Sequence, residues 1–118
     1  MKSKSKAVLL PRLRIVSDKR IAFGPGKAEL LALIAETGSI GDAAKQMKMS
    51  YMRAWSLVQT MNKCFKEPLV ETAHGGNERG GAKLTKVGGQ ILKLYEQMES
   101  ASLKSSQKHW PSFQKLLR

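Results

Sequence analysis

Apolar residues recur along this chain at two spacings, and the change from one to the other marks out its elements. From Arg12 to Phe23 the stretch RLRIVSDKRIAF sets Leu13 between two arginines, and Ile21 and Phe23 resume the alternation. Period-two spacing of this kind predicts a short β-hairpin packed on one face, turning at Ser17 and Asp18. Gly24, Pro25 and Gly26 then halt the strand, and Pro25 suits the first position of a helix, where its missing N–H costs nothing. Lys27 to Thr37, with Leu30, Leu31, Leu33 and Ile34 almost continuous, reads as a central packing helix closed by Gly38.

Two short helices follow. Ser39 can cap the first, with Asp42 three residues on, and Ala43, Ala44 and Met47 give it a narrow apolar face. Met47 to Met49 forms the turn. Ser50 is the next cap, and Ala54, Leu57, Val58, Met61 and Phe65 lie on one buried stripe of the helix behind it. Pro68 prevents any continuation. Leu69 to Thr72 and Ala82 to Thr85 are strand candidates joined by HGGNERGG, and Thr85 can cap a last long helix. Its stripe of Val87, Ile91, Leu94, Tyr95 and Met98, extending to Leu103, suits both cover for its own domain and pairing with a twin helix. Residues 1 to 9 read as a flexible basic arm, 10 to 103 as the folded domain and 104 to 118 as a tail. In that tail Trp110 and Phe113 would dock on a partner subunit or fold back on their own chain.

Composition turns this helical pattern toward a function. The 118 residues carry a net charge of +12. Residues 1 to 60 hold 11 basic and 4 acidic side chains, and residues 61 to 118 hold 10 and 5. A folded domain this basic along its whole length expects a polyanion. Cys64 is the one cysteine, so neither an intrachain disulfide nor a cysteine zinc site can form, and no metal or cofactor is expected. No apolar stretch reaches the roughly 20 residues of a membrane span, and the apolar run Ala7 to Leu10 is too short for a signal peptide, so the expected location is the cytoplasm. An enzyme is not expected: His74 and His109 are the only histidines, and no paired carboxylates stand at catalytic spacing.

The charge gives the helix after Ser50 its meaning. The face opposite its stripe carries Ser50, Tyr51, Met52, Arg53, Ser56 and Thr60, hydrogen-bonding, basic or adaptable residues near the end that enters a DNA major groove. An ordinary helical hairpin with a solvated polar face would look the same. The basic balance and the glycine-rich hairpin that follows decide for a recognition helix. Residues 74 to 81 would form a thin wing tip touching backbone or minor groove, led by Arg79 with His74, Asn77 and Lys83. Lys45, Lys48 and Lys63 would join Arg79 and Lys83 in holding phosphates. A nucleotide phosphate loop fails on spacing, since Gly80 is followed by Gly81 and Ala82 and not by lysine. The expected fold is therefore mainly α with small β elements, a winged helix-turn-helix with a C-terminal dimerisation helix.

The segments GPGKAELLALIAETGSI, AAKQMKMSYMRAWSLVQTMN, LVETAHGGNERGGAKLT and KVGGQIL are together similar to the DNA-binding domain of ModE-type molybdate-responsive regulators, over Ile21 to Ser100. That resemblance implies a homodimer on a palindromic operator of double-stranded DNA, regulating genes of molybdenum use. Ser50, Tyr51, Met52, Arg53 and Ser56 would then read bases, and Trp55 would pack against the domain. Full-length members add a molybdate-binding region, for which no residues follow Arg118. A single-domain relative, served by a separate effector-sensing protein, is the expectation. Two other readings stay open: a nonspecific chromatin-like or RNA-binding module, and a LysR-like DNA-binding domain.

Overall fold

The computed structural model describes residues 6–73 and 81–118. Strands β1 (Ile15–Ser17) and β2 (Arg20–Phe23) form an antiparallel hairpin with Val16 opposite Ile21 and Ser17 opposite Arg20. The loop is Asp18–Lys19, one residue later than the alternation predicts. Both residues have positive φ, 50° and 66°, the backbone that a two-residue hairpin loop requires and that asparagine and glycine usually supply. Asp18 marks the turn, and without a glycine or asparagine after it the sequence does not fix which two residues form the loop.

Helix α1 (Pro25–Thr37) starts at proline and ends on Gly38, whose φ of 73° lets its N–H donate back to the Ile34 carbonyl at 2.8 Å. Helix α2 (Ile40–Gln46) is capped by Ser39, whose Oγ accepts from the Asp42 N–H at 3.0 Å. Helix α3 (Tyr51–Cys64) starts the same way, with the Arg53 N–H donating to Ser50 Oγ at 3.1 Å. Alanines 43, 44 and 54 are buried in this corner and allow the helix backbones to approach closely, while Leu30, Leu31 and Ile34 fill the centre with no exposed surface.

Strands β3 (Val70–Thr72) and β4 (Ala82–Leu84) pair antiparallel, with Val70 opposite Leu84 and Glu71 opposite Lys83. The Ala82 N–H donates to the Gly38 carbonyl at 2.9 Å, which fastens the base of this hairpin to the α1–α2 corner. Helix α4 (Lys86–Ser106) follows, capped by Thr85, and α5 (Trp110–Gln114) ends the chain's regular structure. The stretch expected to be a tail thus holds the end of α4 and a further short helix. Trp110 and Phe113 stack on each other, ring centroids 5.9 Å apart, and line a small apolar hollow with Leu9 of the N-terminal segment.

Phe23 joins the two halves of the core. It meets Phe65 edge-on at 6.1 Å and Tyr95 edge-on at 5.0 Å, so the first hairpin is clamped between the end of α3 and the middle of α4. Phe65 lies just past the end of α3, not within it as its stripe position suggests, and still packs on the core. A buried phenylalanine of this kind stabilises the fold by about 1.5–3 kcal/mol.

Helix α4 docks through its first turn. The Thr85 N–H donates to the Leu69 carbonyl at 2.9 Å, and its hydroxyl donates to the Pro68 carbonyl at 2.7 Å. Gly88 is buried there, and a Cβ at that position would fall on the Leu69 carbonyl oxygen, whereas Gly89 next to it faces open space. Gly88→Ala is therefore expected to destabilise by about 2 kcal/mol or more through a backbone clash. Gly89→Ala is expected to stabilise by about 0.5–1 kcal/mol through helix propensity. Urea midpoints of the two variants check this pair, and equal midpoints would show that α4 does not approach Leu69 so closely.

Candidate nucleic-acid interface

The turn between α2 and α3 sets the direction in which α3 leaves the body. Lys48 sits in the left-handed region at φ 59°, its N–H donating to Lys45 O at 3.1 Å, and the Met49 N–H reaches back to Ala44 O at 3.0 Å. These are the two bonds of a Schellman ending, with lysine in the place that glycine usually holds. Met49 packs on the core beside it. The chain then re-enters a helix at Ser50 with no slack.

From that start α3 buries Ala54, Val58 and Met61 and turns its other side outward. Met52 is 66% exposed, and Arg53, Ser56 and Lys63 are exposed with it, while Tyr51 and Thr60 are half-buried at the margins. Thr60 spends its hydroxyl proton on the Ser56 carbonyl at 3.1 Å, so it offers an outside partner only an acceptor. Trp55, expected to pack against the domain, is 37% exposed: one helical step from Ala54 carries its ring out of the stripe. Lys45 and Lys48 are exposed on the neighbouring helix and turn. Nothing among the described residues covers this face.

Lys83 is not a lone cation. Its Nζ lies 3.9 Å from the Glu71 carboxylate directly across the β3–β4 ladder, with both side chains exposed. A solvated pair of this kind is worth about 0–1 kcal/mol, so a phosphate can compete for the lysine. His74, Asn77 and Arg79 lie outside the described residues.

The α4 stripe divides in two. Tyr95 cannot serve a dimer face, because it is buried in its own core and its hydroxyl donates to the Leu13 carbonyl at 2.6 Å. Burial, Glu99's charge and a hydrogen bond to Glu99 push its phenol above the ordinary tyrosine value, against the pull of Arg14 and Arg12. It remains a neutral donor at physiological pH. Val87 and Ile91 are half-buried and pack on the same core. Leu94 and Met98, four residues apart, are left 54% and 46% exposed.

Asn62 is a positioning residue whose role the sequence pattern does not reveal. Its Oδ1 accepts from the N–H groups of Leu69 and Val70 at 2.8 and 3.2 Å, and its Nδ2 donates to the Val70 carbonyl at 3.2 Å. One side chain thereby ties the end of α3 to the first residues of the β3–β4 hairpin. The signal was an asparagine near a helix end followed by an unpaired strand edge, which the chain leaves ambiguous until both are in place. Among the described residues, no group of three or more His, Cys, Asp or Glu could hold a metal ion, and no helix is long and apolar enough to cross a membrane.

Three core helices, with α3 presenting an open face and a two-stranded hairpin beside it, define a winged helix-turn-helix domain. Among solved structures, the CbnR_DBD–DNA complex matches this fold with a TM-score of 0.58 at 20% identity, over 74% of this chain and 94% of that one. In sequence the chain is a relative of the ModE-type proteins across this domain. It is 38% identical over 90 residues to the molybdenum transport protein ModE of Azotobacter vinelandii, a span of 76% of this chain and 33% of that protein. The transcriptional regulator ModE of Haemophilus influenzae is 38% identical over 87 residues, 74% of this chain and 34% of that one. The molybdenum-pterin-binding protein MopB of Rhodobacter capsulatus is 41% identical over 82 residues, 70% and 30% of the two chains. The chain spans about a third of the length of these curated relatives. No family model matches it.

Asn62→Ala removes the partners of two N–H groups and one carbonyl, and is expected to cost about 1–3 kcal/mol. Amide exchange at Leu69 and Val70 should speed up while that of Leu30 and Leu31 follows only the global loss. Exchange at Leu69 and Val70 changing no more than at Leu30 would show that the side chain does not hold the hairpin.

Proposed function

We propose that this chain is the DNA-binding part of a transcriptional regulator. It acts as a homodimer on a palindromic operator, with α3 in the major groove and the segment 74–81 on the adjacent backbone or minor groove. The observation that carries the reading is the exposed N-terminal half of α3, with Met52, Arg53 and Ser56 outward, together with the exposed cations Lys45 and Lys48 before it and Lys63 in its last turn. Ser50, Tyr51, Met52, Arg53 and Ser56 supply base readout, and the lysines, with Lys83, Arg79, Asn77 and His74 on the hairpin, hold phosphates. Phosphate contacts fix register and weaken with salt, while base contacts carry the sequence information. The regulator names of the relatives support this reading. By the same similarity the target genes concern molybdenum, and effector sensing falls to a separate protein or region. The protein works in the cytoplasm.

Exposed Leu94 and Met98 supply the dimer contact on α4. Two copies joined there place two recognition helices on successive half-sites, and linking two weak modules raises the affinity of the pair far above either alone.

Selection from genomic fragments followed by competition at fixed salt tests the reading. The chosen palindrome should win over random duplex by about 10³-fold or more. Equal binding would replace it with a nonspecific nucleic-acid module. Arg53→Ala should cost about 1–3 kcal/mol on the selected site and little on random duplex; equal losses on both would reduce Arg53 to a phosphate contact. Leu94→Asp should shift the sedimenting species from dimer to monomer without changing the helical circular dichroism, and an unchanged profile would move the interface elsewhere.

A further inference from the structure

Beside the proposed reading face lies a cleft of about 320 Å³ that shares with it only Arg53. Arg12 and Arg14 enter it from the extended segment before β1, Lys27 from the first turn of α1, and Arg53 from the first turn of α3. Met49 and Leu57 contribute to its apolar floor, and no carboxylate lines it. Lys27 is committed, its Nζ donating to the Ile21 carbonyl at 2.7 Å. Among the described residues, the three arginines have neither a carboxylate within 4.0 Å nor a side-chain hydrogen bond, the ion pair there being Lys83–Glu71. Three arginines, two from the segment before β1 and one from α3, thus line one open space with no carboxylate among its lining residues, and their like charges favour an anion there. A tetrahedral oxyanion suits their planar forks, since each can give two parallel hydrogen bonds to its oxygens.

We propose that this cleft is a phosphate-binding site and that its occupant is a backbone phosphate of the strand flanking α3. This rests on the DNA-binding reading above, because Arg53 borders both the cleft and the reading face. A free inorganic phosphate has the same chemistry and is the other source the site could accept. Arg12 and Arg14 then clamp the strand from the side of the first hairpin, a contact separate from Lys83 on the β3–β4 hairpin. The clamp sets register and carries no sequence preference.

The full chain carrying Arg12→Gln and Arg14→Gln tests this against a control carrying Lys104→Gln and Lys108→Gln, which loses the same charge far along the chain. All four side chains are exposed, so both proteins should melt as wild type does. Binding to random duplex over a salt series should show the slope of log K against log salt reduced by about 1 in the arginine variant, near 0.9 for each phosphate no longer neutralised, and unchanged in the control. Equal slopes in the two variants overturn the DNA clamp. Titration with inorganic phosphate, followed by the amide shifts of Gly26 and Lys27, separates the sources. Saturation in wild type and not in the arginine variant, with equal DNA slopes, assigns the site to a free oxyanion and overturns the strand contact. Such saturation in a protein that binds no duplex refutes the DNA-binding reading and leaves the site standing. No saturation and equal slopes refute the site while leaving a DNA-binding protein intact.

Discussion

The backbone of Pro68, Leu69 and Val70 is the joint on which the three working parts of this domain depend. Leu69 is fully buried, so its polar groups must find partners inside the protein or cost about 1–3 kcal/mol each. Asn62 at the end of α3 receives the N–H groups of Leu69 and Val70, and Thr85 at the head of α4 supplies donors to the carbonyls of Pro68 and Leu69. Helix α3, the β3–β4 hairpin and helix α4 therefore converge on three residues. None can rotate against the others without exposing an unpaired group. Under the proposed DNA-binding reading this matters more than stability, because a helix in a groove and a hairpin on the neighbouring backbone would act as one unit only at a fixed angle.

Gly88 completes the joint by letting α4 come close enough for Thr85 to reach those carbonyls. The approach has a long-range consequence. It directs α4 across the first hairpin, so that Tyr95 meets Phe23 and its hydroxyl finds Leu13, 82 positions away in the chain. The N-terminal segment is held by that bond, and with it the arginines on either side of Leu13. A glycine buried for the sake of a carbonyl at one end of the domain thus positions cations at the other.

How much of this was legible follows the range of each interaction. The boundaries of α1, α2 and α3 are written locally, in Pro25, Gly38, Ser39 and Ser50, because a cap needs only a side chain and an amide three residues away. The turn at Asp18–Lys19 was misplaced by one because its two left-handed residues are neither glycine nor asparagine. The short helix at Trp110 went unread because five residues give no period to count. Tyr95 shows the deeper difficulty. Its place on a helical stripe says that it is buried, and not by what; a stripe that faces its own hairpin and a stripe that faces a twin subunit have the same spacing. Only the fold divides α4 into an inner half with Tyr95, Val87 and Ile91 and an outer half with Leu94 and Met98. Asn62 and Arg12 were missed for the same reason, since their partners lie in elements whose placement the pattern does not fix.

A net charge of +12 favours a polyanion as the proposed partner, and the distribution of acids bears on where it would bind. Acidic residues in a first helical turn stabilise that end by about 0.3–1 kcal/mol against the helix dipole, and Asp42 does so in α2. Among the described residues the other four helices have none, and two of them, α1 and α3, begin at the arginine-lined cleft. Glu71 stands beside Lys83 and Glu99 beside Tyr95, and neither lines the cleft. A carboxylate in the first turn of α1 or α3 would stabilise the free protein and repel any incoming phosphate. At the two helix ends beside the cleft that stabilisation is absent: α3 is capped by the neutral Ser50 hydroxyl and α1 by no side chain, so neither first turn sets a negative charge against the phosphate proposed to bind there.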